Sequence, residues 1–179
     1  MLLPKVAIKK ILFATDLSEG ARQALAYAVS LSNRYGAPIT ILHALEESAG
    51  VSAAVMYHIG PDLWNEIKKK HEDTARNVII AKQREDDPAV KEALHHYYNE
   101  VSQSFEEQAF TLEDVVVKRG RPVDLIVETA ERRRCDLIVM GTRGQGGLTQ
   151  MMLGSTAQKV LKRSKIPVLV VCPQPAPPA

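Results

Sequence analysis

Residues 137–156 read LIVMGTRGQGGLTQMMLGST, and this stretch indicates both a fold class and the place of a binding site. It begins with four consecutive apolar residues, a pattern typical of a parallel strand that is buried on both faces. Five of the ten glycines of the chain then fall within the 14 residues from Gly141 to Gly154. Gly154-Ser155-Thr156 starts a predicted helix that ends near Ser164. A strand, a glycine-rich loop and a helix in this order are expected where a parallel sheet meets a ligand.

Apolar runs and helical patterns alternate along the rest of the chain. One helix is predicted from an N-cap at Ser18 to a stop at Gly36, and another begins at Pro122 and runs to Arg134. Strands separated by helices with short joins predict an α/β fold built on a doubly wound parallel sheet. The other predicted strands are Ile11–Ala14, Ile39–His43, Val115–Val117 and Val168–Val171.

The segment at 46–110 breaks this alternation, because it supplies about 65 residues where one crossover helix would be enough. It contains two helical stripes of apolar residues, one from Leu63 to Ile79 and one from Val90 to Phe105. We predict a helical insertion packed on one edge or face of the sheet. The expected organisation is one domain over residues 1–172, with a flexible proline-rich tail at 173–179.

Composition narrows the possible function classes. The 179 residues include 23 Lys plus Arg and 21 Asp plus Glu, a net charge of +2, which is not typical of a dedicated nucleic-acid-binding protein. The two cysteines, Cys135 and Cys172, are too few for a disulfide framework and favour a reducing compartment. No apolar run approaches the roughly 20 residues that span a bilayer. We therefore expect a soluble, cytoplasmic protein without a nucleic-acid or membrane partner.

The chemistry of a ligand site can be placed at the carboxyl ends of the strands, where open parallel sheets bind their ligands. Asp16 follows the first strand and is expected there, either in contact with a ligand or as a helix N-cap. The helix that starts at Gly154 offers unbonded N–H groups and two hydroxyls, which suit a phosphate. The alternative is a flexible surface loop followed by an ordinary capped helix. No GxxxxGK[ST] occurs, which excludes a P-loop NTPase, and no GxGxxG follows the first strand, which argues against a dinucleotide-binding fold.

At this point the sequence resembles a known family. Gly141-x2-Gly144-x9-Gly154-Ser155 is similar to the Gly-x2-Gly-x9-Gly-(Ser/Thr) signature of the ATP-binding branch of the universal stress protein family. Residues 10–19 resemble that family's first strand and turn, residues 135–144 its fourth strand and loop, and residues 154–171 its last helix and strand. The resemblance implies a five-stranded sheet of order 3-2-1-4-5 and a cytoplasmic, dimeric stress-response protein that binds ATP.

The resemblance also implies roles for individual residues. Arg143 stands where relatives often have histidine, and its guanidinium could bind a phosphate with two hydrogen bonds. A Mg²⁺ or Mn²⁺ ion would take its ligands mainly from the phosphates, and the strand Val168–Val171 would pair with its copy in a homodimer. The residues that match base and ribose contacts of the family are Ala14, Thr15, Asp16, Ala44 and Met140, and those that match phosphate contacts are Gly141, Arg143, Gly144, Gly154, Ser155 and Thr156.

A catalytic constellation is not evident, because Asp16 is the only acid that the sequence places at the pocket and no base accompanies it. The favoured interpretation is a regulatory module that binds ATP and acts through an unidentified protein partner. A slow or partner-activated ATP hydrolase is one alternative, and an interaction module that works through the insertion is another. A flavoprotein or an adenylate-forming enzyme of similar topology is a more distant one. His58, His71, His95 and His96 lack the spacing of a metal site, so no metal ligand is expected among them.

Overall fold

The computed structural model describes Leu3 and residues 5–45, 51–76, 88–104, 110–142 and 153–172. Its strands form one parallel sheet in the order β3-β2-β1-β4-β5, which confirms the predicted doubly wound fold. The strands are β1 (Ile11–Thr15), β2 (Ile39–Leu45), β3 (Leu112–Arg119), β4 (Leu137–Gly141) and β5 (Val168–Val171). The helices of the described part are α1 (Glu19–Tyr35), α2 (Val51–Ile59), α3 (Pro61–Arg76), α4 (Pro88–Ser104), α5 (Pro122–Arg132) and α6 (Ser155–Arg163).

The ends of α1 follow from local sequence chemistry. The Ser18 side chain accepts a hydrogen bond from the Ala21 N–H at 3.3 Å and so caps the first turn. Gly36 takes the left-handed conformation, with φ of 65°, that commonly closes a helix. Both residues are where the sequence predicts them. These two caps set where α1 begins after β1 and where it ends before β2.

The sheet is covered by helices on both faces. Residues of α1, α2, α3 and α4 share one hydrophobic cluster with Ile11, Phe13 and Ile41. Residues of α5 and α6 share the other cluster with Leu12, Ala14 and Met140 on the opposite face. Successive strand residues point to opposite faces, which is why neighbours in sequence belong to different clusters. No helix in the described ranges is both long enough and apolar enough to cross a bilayer.

Three helices, rather than two, lie in the described part of the segment between β2 and β3. The predicted stripes correspond to α3 and α4, whose ends beyond Arg76 and Ser104 fall outside the described residues. The helix that sequence reasoning missed is α2, because its residues VSAAVMYHI are apolar almost throughout and show no amphipathic repeat. We refer to α2, α3 and α4 as the crossover helices. The predicted tail at 173–179 also lies outside the described residues.

Candidate functional site

The carboxyl edge between β1 and β4 is the switch point of this sheet. From β1 the chain continues to β2 on one side, while β4 lies on the other, so the connections diverge and leave a crevice at the strand ends. Ala14 pairs with both Leu42 and Met140, and Thr15 pairs with His43. The register thus brings the ends of β1, β2 and β4, far apart in sequence, to one level.

Apolar side chains form the floor of this crevice. Ala14 and Met140 are buried neighbours on adjacent strands and belong to the cluster beneath α5 and α6. Ala44, next to the last residue of β2, is half-buried. These three residues, which the family resemblance implies as base and ribose contacts, are each the next-to-last residue of a strand, at the same edge of the sheet.

The turn from Thr15 to Ser18 carries the predicted acid, and its backbone is held by its own side chains. Thr15 Oγ1 accepts from the Leu17 N–H, and Asp16 Oδ1 accepts from the Ser18 N–H, each at 3.0 Å. Asp16 is therefore not the N-cap of α1, a role that belongs to Ser18. Leu17 has a φ of 64°, a left-handed conformation that L side chains rarely adopt. Asp16 is half-buried and directly follows β1, at the carboxyl edge of the sheet.

Two backbone hydrogen bonds at Thr142 join the end of β4 to the N-terminus of α6 and to β5. The Gly154 N–H donates to the Thr142 carbonyl at 2.7 Å, and the Thr142 N–H donates to the Val171 carbonyl at 2.9 Å. Gly154 occupies the N-cap position and offers no side-chain capping bond. Ser155 and Thr156 form the first turn of α6, exposed and half-buried respectively. Among the described residues, no side chain caps the N-terminus of α6, which lies beside the end of β4.

Gly154 does not take a positive φ. Its φ of −61° and ψ of 152° are extended backbone that any residue adopts. What the glycine contributes at this position is the absence of a side chain at the helix N-terminus. The predicted phosphate residues Arg143 and Gly144 lie outside the described residues.

His43 belongs to this edge and was missed by sequence reasoning. Its Nδ1–H donates to the Thr15 carbonyl at 2.9 Å, which leaves Nε2 as the acceptor of a neutral ring. Nε2 is buried without a hydrogen-bond partner among the described residues. Burial lowers the pKa of His43, while the Thr15 hydrogen bond and the Asp16 charge oppose part of that shift. The signal in the sequence is a histidine within the otherwise apolar run ITILHAL.

Thr142, one residue beyond β4, is a second polar residue that the sequence did not single out as a contact. It is only 7% exposed, and its Oγ1 is buried without a partner among the described residues. Buried hydroxyls in folded proteins are nearly always hydrogen-bonded, so this oxygen is available to a further group at the edge. A ligand bound against the α6 N-terminus is one such group.

The described residues fit a divalent ion at this edge only if an anionic ligand supplies most of its coordinating oxygens. Within the described ranges no group of three His, Cys, Asp or Glu side chains is arranged to hold a metal ion. Asp16 is the one predicted site residue with a carboxylate. An ion bound here would need the oxygens of a phosphate for most of its coordination shell.

Comparison with known proteins places the chain in a family. A model described as the universal stress protein family matches residues 7–172, nearly the whole chain. A universal stress protein of Methanocaldococcus jannaschii is 29% identical over 175 residues, which cover 93% of this chain and 96% of the relative. A universal stress protein of Thermus aquaticus is 31% identical over 166 residues, which cover 91% and 98% of the two chains.

Solved structures agree with this result. The structure of the Methanocaldococcus jannaschii protein superposes with a TM-score of 0.61 and covers 96% of this chain and 100% of that one. A universal stress protein in complex with cAMP superposes with a TM-score of 0.53, at 22% identity, over 93% of this chain and 98% of that one. At that identity the second likeness concerns the fold alone.

Proposed function

The chain belongs to the universal stress protein family, and on that basis we propose that it binds ATP at the carboxyl edge between β1 and β4. The observation that carries the proposal is the uncapped N-terminus of α6, held against Thr142 at the switch point of the sheet. Helix N-termini at such crevices favour anions, because their N–H groups and the positive end of the helix dipole face the ligand.

The phosphate end of the site is assigned to α6. The N–H groups of Ser155 and Thr156 lie in its first turn, where no residue of the helix can accept them. Their hydroxyls add two donors, and the Thr142 hydroxyl adds a third at the end of β4. The missing side chain of Gly154 lets a phosphate approach the helix backbone closely. Gly141, Arg143 and Gly144 complete this end of the proposed site.

The base and ribose end is assigned to β1, β2 and the floor of the crevice. Ala14, Ala44 and Met140 offer small or apolar surface on which a purine can lie. Asp16 would accept a hydrogen bond from a ribose hydroxyl, and Thr15 would border the ribose. A carboxylate that accepts such a bond fixes the orientation of the nucleotide and selects a ribonucleotide.

A Mg²⁺ or Mn²⁺ ion bound with the nucleotide would neutralise part of the phosphate charge. The described residues supply no set of protein ligands for such an ion, so we assign its coordination chiefly to phosphate oxygens. The side chains of Ser155 and Thr156 are then left to orient the phosphates.

We further propose that the protein acts in the cytoplasm as a homodimeric regulatory module and signals to a protein partner. In the described sheet β5 pairs with β4 on one side only. A second β5 related by a two-fold axis would satisfy the outer row of backbone groups, the arrangement that closes an isologous dimer. Nucleotide occupancy is the signal that such a module would report.

The nucleotide that co-purifies with the protein tests the proposal. Protein purified without added nucleotide is denatured, and the released small molecules are separated and identified by mass. We expect ATP, because tight binding with slow turnover preserves it. ADP or AMP would instead favour the hydrolase alternative.

If nothing is released, the purified chain is titrated with ATP and Mg²⁺, with GTP and cAMP as competitors. The cAMP complex of a relative makes that nucleotide the first competitor to include. Absence of any binding would contradict the proposal and favour an interaction module. Preference for cAMP or GTP over ATP would contradict the assignment of ATP.

A further inference from the structure

Two of the crossover helices, α2 and α4, contact the Thr15–Ser18 turn, which also carries Asp16 of the proposed nucleotide site. A small, partly open cleft lies between this turn, α1 and two of these helices, and its lining includes Phe13, Leu17, His58 and Tyr98. The turn that carries Asp16 is therefore in direct contact with α2 and α4. Asp16 lies within this turn, so a shift of the turn caused by these helices would also move the Asp16 carboxylate.

His58, near the end of α2, reaches the turn at its strained residue. Its Nε2–H donates to the Leu17 carbonyl at 3.3 Å, across 41 positions of sequence. The ring is held between two tyrosines, with centroid distances of 5.6 Å to Tyr57 and 4.9 Å to Tyr97. The imidazole is therefore oriented by its neighbours before it binds the turn.

Tyr98, on α4, reaches the first residue of the same turn. It is 2% exposed, and burial raises the pKa of its phenol, while a side-chain hydrogen bond to Thr15 opposes part of that rise. Thr15 in turn holds the Leu17 N–H and is bonded through its carbonyl to His43. The buried phenol and Thr15 line the same cleft, so Tyr98 packs beside the residue on which the turn is built.

The conformation of Leu17 explains why this restraint matters. A left-handed leucine is less stable than a right-handed one by roughly 1–2 kcal/mol, so it persists only where surrounding contacts hold it. Two hydrogen bonds within the turn supply part of that restraint: the Leu17 N–H donates to Thr15 Oγ1, and the Ser18 N–H donates to Asp16 Oδ1. His58 binds the carbonyl of the strained residue itself, and this bond comes from outside the turn.

We propose that α2 and α4 position the Thr15–Ser18 turn for the nucleotide through His58 and Tyr98, so that nucleotide affinity and the packing of these helices are coupled. This inference rests on the proposed ATP site. His58 and Tyr98 are positioning residues, since neither is placed in the crevice. By linkage, a nucleotide that holds the turn also stabilises α2 and α4.

Nucleotide affinity in matched variants tests the coupling. His58→Leu removes the donor to Leu17, whereas His58→Gln keeps a side-chain amide donor. Tyr98→Phe removes only the hydroxyl that reaches Thr15. Tyr57→Phe is the control, because it removes a hydroxyl from the same helix as His58 but from a side chain that is 81% exposed.

The dissociation constant for ATP with Mg²⁺ is measured well below the melting temperature of each nucleotide-free variant. We expect His58→Leu and Tyr98→Phe each to weaken binding by about three- to tenfold, the range of one net hydrogen bond. His58→Gln should recover most of the affinity, and Tyr57→Phe should match the wild type. A purely structural role would lower the melting temperature and leave the affinity of the folded variants unchanged, which would overturn the inference.

Amide hydrogen exchange in the wild type gives a second readout that needs no variant. ATP should slow exchange in α2 and α4, and exchange that is equal with and without bound ATP would overturn the coupling while leaving the ATP site intact. A wild-type protein that binds no ATP would overturn the proposed function together with this inference. The two failures are therefore distinguishable.

Discussion

A hydrogen bond from His43 to the Thr15 carbonyl joins β2 to the turn that carries Asp16. The ring is buried, which lowers its pKa and keeps it neutral near pH 7. In this state Nδ1 carries the proton for Thr15 and Nε2 carries a lone pair. At the scale of a single residue, burial keeps the ring neutral, and the Thr15 carbonyl selects the tautomer with its proton on Nδ1.

Because its pKa is lowered, His43 should make the stability of the protein depend on pH. In the unfolded chain the histidine takes up a proton as the pH falls through about 6.5, whereas in the folded protein it is protonated only at a lower pH. The unfolded state then binds more protons, so the free energy of unfolding falls with pH below about 6.5. We expect the melting temperature to drop more between pH 7.5 and 5.5 in the wild type than in His43→Asn, whose amide can still donate to Thr15. An equal drop in both proteins would refute this assignment.

Single residues also mark the limit of prediction from sequence for the site. Ser18 and Gly36 could be predicted because each acts within a few positions of itself. His43 and Thr142 could not, because their burial depends on strands that pair across long stretches of sequence. Asp16 follows β1 as predicted, but its bond to the Ser18 N–H depends on the left-handed Leu17, which no local pattern indicates.

At the scale of elements, continuous apolar runs predicted the five strands that the described residues form, because strands buried on both faces have no polar side. Their ends were predicted less well. β3 extends from Leu112 to Arg119, beyond the predicted Val115–Val117, since pairing with β2 continues through charged residues. α2 was missed for the opposite reason, as an apolar helix without a polar face has no helical period to detect.

The edge strand β5 allows a test of the proposed dimer. The Ile138 and Thr142 N–H groups donate to the carbonyls of Pro167 and Val171. Backbone groups alternate along a strand, so those of Val168 and Val170 face away from β4. Val170→Pro removes an outward N–H and leaves the pairing with β4 in place, and proline is tolerated on such an edge.

We expect Val170→Pro to be monomeric and Val170→Thr, which keeps the outward N–H, to remain dimeric in sedimentation velocity measurements. The reason is that an isologous pair of β5 strands needs these outward groups from both copies. A dimeric Val170→Pro with a native circular dichroism spectrum would place the interface elsewhere.

At the scale of the whole molecule, the order of the strands determines where the candidate site lies. The parallel pairing of β1 with β4 begins at Ile11 and Leu137, which are 126 positions apart in sequence. The turn after β1 therefore lies beside the residues that follow β4 and the start of α6. Alternation of strands and helices predicts only the fold class, whereas the order 3-2-1-4-5 was implied by the family resemblance and is confirmed by the structure.

The most direct test of the ATP site is calorimetric titration of nucleotide-free protein with ATP and Mg²⁺, in the wild type and in Gly154→Val. The extended backbone of Gly154 accepts valine without strain, so the fold should persist while the new side chain occupies the phosphate position. Lys162→Val, an exposed change at the other end of α6, serves as the control.

We predict one ATP bound per chain in the wild type and in Lys162→Val, and no detectable binding in folded Gly154→Val. Wild-type affinity in Gly154→Val, or no binding in the wild type, would contradict the account.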